Sequence, residues 1–565
     1  MAETLNRKKN ILVQGGILAI AGIISRIIGL LYTSPLTAII GDEGNGYYSA
    51  AFYIYSIVLL ISAYSIPSAM SKLLSQKLAI REYRNAQRIF RCALIYVFVI
   101  GGICSVAVFL GAGFLVHGAS IPVLRVFAPA IFLFGPLGVL RGYFQAHRTM
   151  VPTSISQILE QFINALVSLS AAWFLVQTAQ RAAVGESVRA MNGAIGSAIG
   201  TGSGVAVALL FMILVYRINR DEIKALSERD THPVMADREI FRSIISVVTP
   251  FVLSTFIYNF STTMNSTLFS RVLTGIRALP YSEVATRFGV FSRKAMVITN
   301  LPIAFANSAA VAIMPNISTV YAKNKIEDTA ALIDKTNRII MAIAIPSAVG
   351  LLALAQPIMM LLFPQKATLA EASMLLQILA VTVVFYSLST VSNAMLQGVG
   401  RIVAPVRNAA AALIIQSVVL YLLLVYTDLG NISLAIATIV YSLMMCILNE
   451  VSLRHVIKVG QDYKRTVGMP LLSSLIMGAA AYGIYRLCAF LIGLVLDREY
   501  FVNLISVLIA VPIAMLVYGT ILIRTGGVSR EEIEGLPKGS SMVRLLERLH
   551  ILRRKEENET PESEE

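Results

Sequence analysis

The chain has 565 residues, 56% of them hydrophobic and 14% charged, with a net charge of +15. So low a charge content, against the roughly 25% of soluble domains, excludes a water-soluble globular protein and marks an integral membrane protein. The basic surplus does not indicate a nucleic-acid partner, because the Lys and Arg residues lie in alternate loops between apolar runs, where they report membrane orientation.

A bilayer crossing needs about 20 consecutive apolar residues. Read on that scale, the chain contains fourteen candidate spans, at 11–31, 47–68, 90–112, 121–140, 152–176, 192–216, 241–270, 295–316, 336–362, 372–396, 405–427, 431–453, 468–494 and 500–523. The first is too long for a signal-peptide core and lacks a small-residue cleavage site, so no cleavable leader is expected. Basic residues cluster before the first span (Arg7, Lys8, Lys9), after the second (Lys72 to Arg91), after the sixth (Arg217 to Arg242) and after the eighth (Lys323 to Arg338), whereas the intervening loops, such as Gly41 to Gly46, carry almost none. Positively charged loops stay cytoplasmic, so both termini are expected on that side. Cys92, Cys104, Cys446 and Cys488 have neither metal-ligand nor paired spacing and read as small buried hydrophobes.

Two pairs of stretches suggest an internal repeat. Arg141-Gly142-Tyr143-Phe144-Gln145 through Pro152, between spans four and five, resembles Leu396-Gln397-Gly398 through Pro405, between spans ten and eleven. Pro67-Ser68-Ala69-Met70-Ser71 ends span two as Pro315-Asn316-Ile317-Ser318 ends span eight. Six spans separate each pair, an even number, so the halves share one orientation. The expected organisation is an all-α polytopic protein: an N-terminal lobe at 1–216 (spans one to six), a cytoplasmic linker at 217–240, a C-terminal lobe at 241–453 (spans seven to twelve), two further spans within 468–523, and a cytoplasmic tail at 524–565. In the tail, Met542, Leu545, Leu549 and Leu552 recur at helical spacing among arginines, fitting either an anionic membrane surface or an ordinary solvated helix. The acidic end from Glu556 to Glu565 reads as disordered.

Charges inside spans are costly, and a central arginine costs about 2.5 to 3.5 kcal/mol on insertion scales. Arg26 sits within the first span, beside Gly22 and Gly29; it faces either a watery cavity or snorkels to an interface. Glu160 lies well inside the fifth span, Arg486 in the thirteenth, and Arg293 and Lys294 at the start of the eighth. Along span seven, Thr255, Asn259, Thr262, Ser266 and Ser270 fall on one helical face, and span eight adds Asn300 and Asn307. Such stripes either glue helices together or line a hydrated lumen. A cavity with Arg26, Arg293 and Lys294 and no excess of acids suits an anion, because guanidinium donors match phosphate oxygens. No phosphate loop, catalytic triad or metal-ligand cluster is evident, and no enzyme activity or cofactor is expected.

With these residues in view, the chain resembles the multidrug/oligosaccharidyl-lipid/polysaccharide exporter superfamily, in the branch containing stage V sporulation protein B and the MurJ-type lipid II flippases. The resemblance rests on Ser25-Arg26-Ile27-Ile28-Gly29, on Ile66 to Lys72, and most specifically on Arg141 to Gln145 with Met150 to Thr153 and Ser156-Gln157 through Glu160-Gln161. It implies two six-helix lobes that alternately open a cationic cavity, with spans thirteen and fourteen forming a groove for a lipid tail. It implies as cargo lipid II, an undecaprenyl-pyrophosphate-linked precursor of peptidoglycan, and a bacterial cytoplasmic-membrane location alongside cell-wall synthesis proteins. Arg26 matches the family's first-span cavity arginine. A second arginine common one turn later is replaced by Tyr32, and the eighth-span arginine position holds Val297, with Arg293 and Lys294 one turn away. Teichoic-acid precursors or other polyprenyl-linked sugars therefore remain alternatives, as does a cation-coupled drug exporter of the same fold. The expected substrate contacts are Arg26, Arg293, Lys294, Asn259 and Asn300, with Glu160 serving lobe switching or proton coupling. Membrane potential, sodium and protons all stay open as the driving force.

Overall fold

The structure, a computed structural model, describes residues 2–60, 66–147, 149–219, 228, 230–457, 462–528, 543 and 547. The side chains of 2–16, 18–19, 250–259, 311–312 and 315 lie outside that description, as do the apolar pattern from Met542 to Leu552 and the acidic C-terminal end.

Among the described residues every regular element is a helix. Span one falls on α1 (Ala2–Leu59) before its break, and span two on the rest of α1 and the first residues of α2 (Ile66–Ala79), which otherwise holds the basic-loop residues Lys72 and Lys77; spans three to six are α3 (Tyr83–Leu115), α4 (Ser120–Ala146), α5 (Val151–Arg181) and α6 (Glu186–Ile218). Span seven is α7 (Asp237–Gly275). Span eight is preceded by α8 (Tyr281–Gly289) and a π-helical turn, Val290–Ala295, before α9 (Met296–Ala322). Span nine divides into α10 (Ile326–Ala353) and α11 (Ala355–Leu362). Spans ten to twelve are α12 (Lys366–Gly398), α13 (Val403–Tyr426) and α14 (Asn431–Val456), and the last two are α15 (Met469–Gly493) and α16 (Glu499–Arg524). Eleven of the described helical stretches are long and apolar enough to cross a membrane by themselves. Their outer faces expose large apolar side chains such as Leu110 and Phe114 on α3 and Phe490 and Leu494 at the end of α15, as lipid contact requires.

The departures from continuous spans have local causes. The α1 rod breaks at Gly41, whose φ of 70° and ψ of 177° suit a residue without a Cβ. The break is braced by Asn45, whose Nδ2 donates to Thr37 Oγ1 at 2.9 Å, while Thr37 Oγ1 donates to the Thr33 carbonyl at 2.8 Å. Span nine divides at Leu354 (φ −111°, ψ 24°), three residues before Pro357, which has no N–H to continue the helical ladder. On α6, Gly196, Gly200 and Gly204 recur every four residues and let its backbone lie against Ala172, Ser168 and Glu160 of α5.

Packing repeats between the halves. In the first, α2 and α3 lie on α4, α4 lies on α6, and α5 pairs with α6; in the second, α9 and α10 lie on α12, α12 on α14, and α13 pairs with α14. The stretches that resemble one another in sequence occupy equivalent contacts. A Cβ on Gly142 of α4 would stand 2.6 Å from the Pro67 carbonyl oxygen of α2, and one on Gly398 of α12 would stand 3.1 Å from the Met314 carbonyl oxygen of α9. The α7 helix crosses between the halves: Ile240, Ile244 and Val248 are buried with α2, α3, α4 and α6, whereas Phe269, Val272 and Leu273 are buried with α8, α11, α12, α13 and α14. The segment leading into α7 is pinned to α3. Asp230 accepts the Arg84 amide at 2.8 Å and the His232 amide at 2.9 Å, Asn85 bonds the Pro233 carbonyl and the Met235 amide, and Arg88 pairs with Asp237 at 2.5 Å.

Candidate functional site

The two halves meet where the segment after the α1 break, residues 41–49, lies against α8 and the π-turn, at the end of the bundle opposite the basic loops. The approach is at backbone distance: a Cβ added to Gly46 would overlap the Ala285 carbonyl oxygen, and one on Gly289 would overlap the Asp42 carbonyl oxygen. Tyr47 stacks on Tyr281 with ring centroids 5.7 Å apart, the Tyr281 hydroxyl shares a hydrogen bond with Ser120 Oγ at 2.8 Å, and Ser292 Oγ donates to Ser49 Oγ at 2.9 Å.

Lys294 is at the centre of this seam and is 1% exposed. Its Nζ lies 2.8 and 2.9 Å from the two Asp42 carboxylate oxygens and 2.8 Å from Thr368 Oγ1, and Thr368 Oγ1 donates in turn to Asp42 Oδ2 at 2.7 Å. The lysine charge is thus satisfied within the protein. Its neighbour is placed differently. The Arg293 guanidinium lies 4.9 Å over the Tyr48 ring, and its Nε and Nη2 are buried without a hydrogen-bond partner among the described residues. Tyr48 is itself held by a 3.2 Å hydrogen bond between its hydroxyl and Thr201 Oγ1 of α6. A half-buried guanidinium with two buried, unused donors is an electrostatic demand that an anion would meet.

The other expected site residues are dispersed. Arg26 is exposed on α1 and makes no ion pair among the described residues. Fifteen residues separate it from Gly41, about 22 Å along a helix at 1.5 Å per residue, so Arg26 lies well along α1 from the break. Glu160 is paired inside the first half: its Oε2 accepts from Arg141 Nη2 at 2.8 Å, while Arg141 Nε donates to Ser156 Oγ at 2.9 Å. Asn300 is exposed on α9, and the Asn259 and Thr255 side chains lie outside the described residues. The described part of the span-seven stripe lines the seam. Ser266 and Ser270 share a void of about 20 Å³ with Ala50, Ile54 and Tyr281, and Thr262 shares one of about 10 Å³ with Tyr53 and Phe288. Each has room for about one water. Arg486 is exposed on α15 and donates to the Tyr482 hydroxyl at 3.0 Å.

Sequence reasoning missed Asp42, Thr368 and Tyr48. Lys294 reads in the sequence as a substrate contact, and nothing local marks Asp42, 252 positions away, as its partner. It also missed a neutral buried cluster on another face of α7, where Ser261 Oγ donates to Gln416 Oε1 at 2.6 Å and Gln416 Nε2 donates to Asn265 Oδ1.

Fold and seam define a polytopic all-α membrane protein with two similarly packed halves, the architecture of the multidrug/oligosaccharidyl-lipid/polysaccharide exporter superfamily. The family described as "Polysaccharide biosynthesis protein" matches residues 11–320, more than half of the chain, and a second family, MatE, matches residues 294–422. The chain belongs to the polysaccharide biosynthesis protein family. It is 25% identical over 554 residues to the uncharacterized membrane protein YabM of Bacillus subtilis, covering 97% of this chain and 99% of that one. To the lipid II flippase MurJ of the same organism it is 24% identical over 498 residues, covering 82% and 86%. A solved structure of the lipid II flippase MurJ in an inward closed conformation superposes with a TM-score of 0.65 at 16% identity, covering 90% of this chain and 99% of that one.

Proposed function

We propose that the protein is a flippase that moves a polyprenyl-pyrophosphate-linked sugar, of the lipid II type, across the bacterial cytoplasmic membrane by alternating access of two lobes, 1–216 and 241–453, with both termini cytoplasmic. The observation that carries this reading is Arg293, half-buried at the seam with Nε and Nη2 buried and unused, and it is supported by the likeness to MurJ. Arg26 is the first phosphate station and Arg293 the second, reached after cargo has moved along α1. Lys294 serves the seam instead of the cargo, and Asn300 and Asn259 serve the sugar path. An inside-negative potential favours outward movement of a negatively charged cargo by about 2.3 kcal/mol per charge per 100 mV; sodium or proton coupling would add to that drive.

The MatE match at 294–422 favours a second reading, a cation-coupled drug exporter. Against it, Asp42 and Glu160 are each neutralised by a basic partner. The test is rescue of a bacterium depleted of its lipid II flippase, at matched membrane levels, by the unaltered chain, Arg26→Ala and Arg293→Ala. Rescue by the unaltered chain with loss in both variants supports the assignment. Each lost charge-assisted contact is worth about 1.5 to 3 kcal/mol, or roughly 10- to 100-fold in cargo affinity. Failure of a correctly inserted unaltered chain to rescue overturns the lipid II assignment.

A further inference from the structure

We infer that Asp42, Lys294 and Thr368 form a latch that holds the seam closed at the end opposite the basic loops, and that the π-turn carrying Lys294 links the latch to the cargo contact at Arg293. This rests on reading the protein as an alternating-access transporter.

Three segments meet in the latch: α1 from the first half, and the π-turn and the start of α12 from the second. The triangle of Lys294, Asp42 and Thr368 closes on itself, with the lysine donating to carboxylate and hydroxyl and the hydroxyl donating to the carboxylate. A charged pair this deeply buried is strongly held only while both members are in place, and on opening both regain water together. The surrounding contact is also of an all-or-none kind. Backbone meets backbone at Gly46 and Ala285 and at Gly289 and Asp42, leaving no side-chain layer between the halves at these two points. Packed interfaces of this sort switch between discrete arrangements and do not deform gradually.

The six-residue π-turn Val290–Ala295 gives the latch its link to cargo. Single π-turns inserted into α-helical rods recur at functional sites. Here adjacent residues point at different targets: Arg293 lies over Tyr48 with free donors, and Lys294 reaches Asp42. An anion that draws the Arg293 guanidinium off Tyr48 turns the same short segment and strains the Lys294 contact.

The test uses the full chain in native membranes, with its four cysteines replaced, carrying S49C and S292C. The parent hydroxyls are 2.9 Å apart, so the pair is expected to form a disulfide on mild oxidation. D42N and K294Q should each slow cross-linking at least about fivefold, and T368V, which leaves the ion pair intact, about twofold. N408C with S452C, replacing side chains in contact within the second half (2.9 Å), should cross-link equally in all backgrounds and reports folding. Should D42N or K294Q also disturb this control pair, T368V decides. Unchanged S49C–S292C cross-linking in the variants that keep the control pair overturns the latch. The readout needs neither cargo nor transport, so a latch that governs cross-linking in a chain unable to rescue flippase-depleted cells stands while the cargo assignment falls, and the converse holds too.

Discussion

Removing the carboxylate of Glu160 separates a structural role for this residue from a coupling role. Its partner Arg141 has a side chain only 7% exposed, against 15% for Glu160, so in Glu160→Ala the guanidinium is left buried with Ser156 as its remaining partner. Breaking a buried pair by removing one member costs about 3 to 5 kcal/mol. The retained Ser156 bond and the partial exposure of Glu160 put the expected loss near the lower end, about 3 kcal/mol. Glu160→Gln keeps an acceptor for Arg141 Nη2 while losing the charge, and should lose about half as much. Replacing both members by methionine removes the orphaned charge and should recover most of the stability, as apolar replacement of whole buried pairs does. The assay is denaturant-induced unfolding of the purified protein in lipid-containing micelles, read alongside rescue of flippase-depleted cells. Stability and rescue should fall together in Glu160→Ala and recover together in the double variant. If Glu160→Gln retains full stability yet abolishes rescue, the carboxylate has a coupling role and the structural reasoning is refuted.

Other perturbations probe the seam and the linker. Gly46→Ala and Gly289→Ala each place a methyl into the facing backbone, so they should abolish S49C–S292C cross-linking while leaving the N408C–S452C control intact; a seam that still cross-links would mean the two backbones do not meet there. At the linker, the amides of His232 and then Arg84 hold the Asp230 carboxyl down to about 2, from an ordinary 3.8. A depressed carboxylate contributes stability that is fully present above its unfolded value and is lost as pH falls through its folded value. The docking of residues 230–237 on α3 should therefore persist to about pH 4 and loosen toward pH 2, and Asp230→Asn should remove that transition. Hydrogen exchange at the Arg84 amide reads it, and an identical profile in Asp230→Asn would assign the transition to another group.

The spans were legible because a bilayer imposes one length and one composition on every crossing, and that constraint acts on local sequence. The pairing of charges was not legible, because it is settled by tertiary contact. Lys294 needs an acid, but nothing near it in the chain says that the acid is Asp42. Arg141 and Glu160 are the instructive intermediate case. They flank a tight α4–α5 turn, 19 residues apart, so an antiparallel hairpin sets them side by side, yet Arg141 read as part of a loop motif and Glu160 as a candidate switch. The polar stripe of α7 shows a further limit: spacing assigns Thr262, Ser266 and Ser270 to one face, but only the packed structure shows that α1 covers it. The short repeated stretches, weak as sequence matches, gain physical meaning from Gly142 and Gly398, since each keeps a neighbouring helix at backbone distance in its own half.

The distribution of charge along α1 and the π-turn carries the argument from structure toward cargo. Asp42 and Glu160 are matched by Lys294 and Arg141, whereas Arg26 and Arg293 form no ion pair among the described residues. Each arginine in a bilayer carries a cost of about 2.5 to 3.5 kcal/mol even on the lenient insertion scale. A scaffold has no use for that cost, and a carrier of cations would place the surplus with the opposite sign. On the proposed reading, Arg26 and Arg293 are contacts for an anion that passes from one to the other, and the latch beside the second would couple arrival there to opening of the seam.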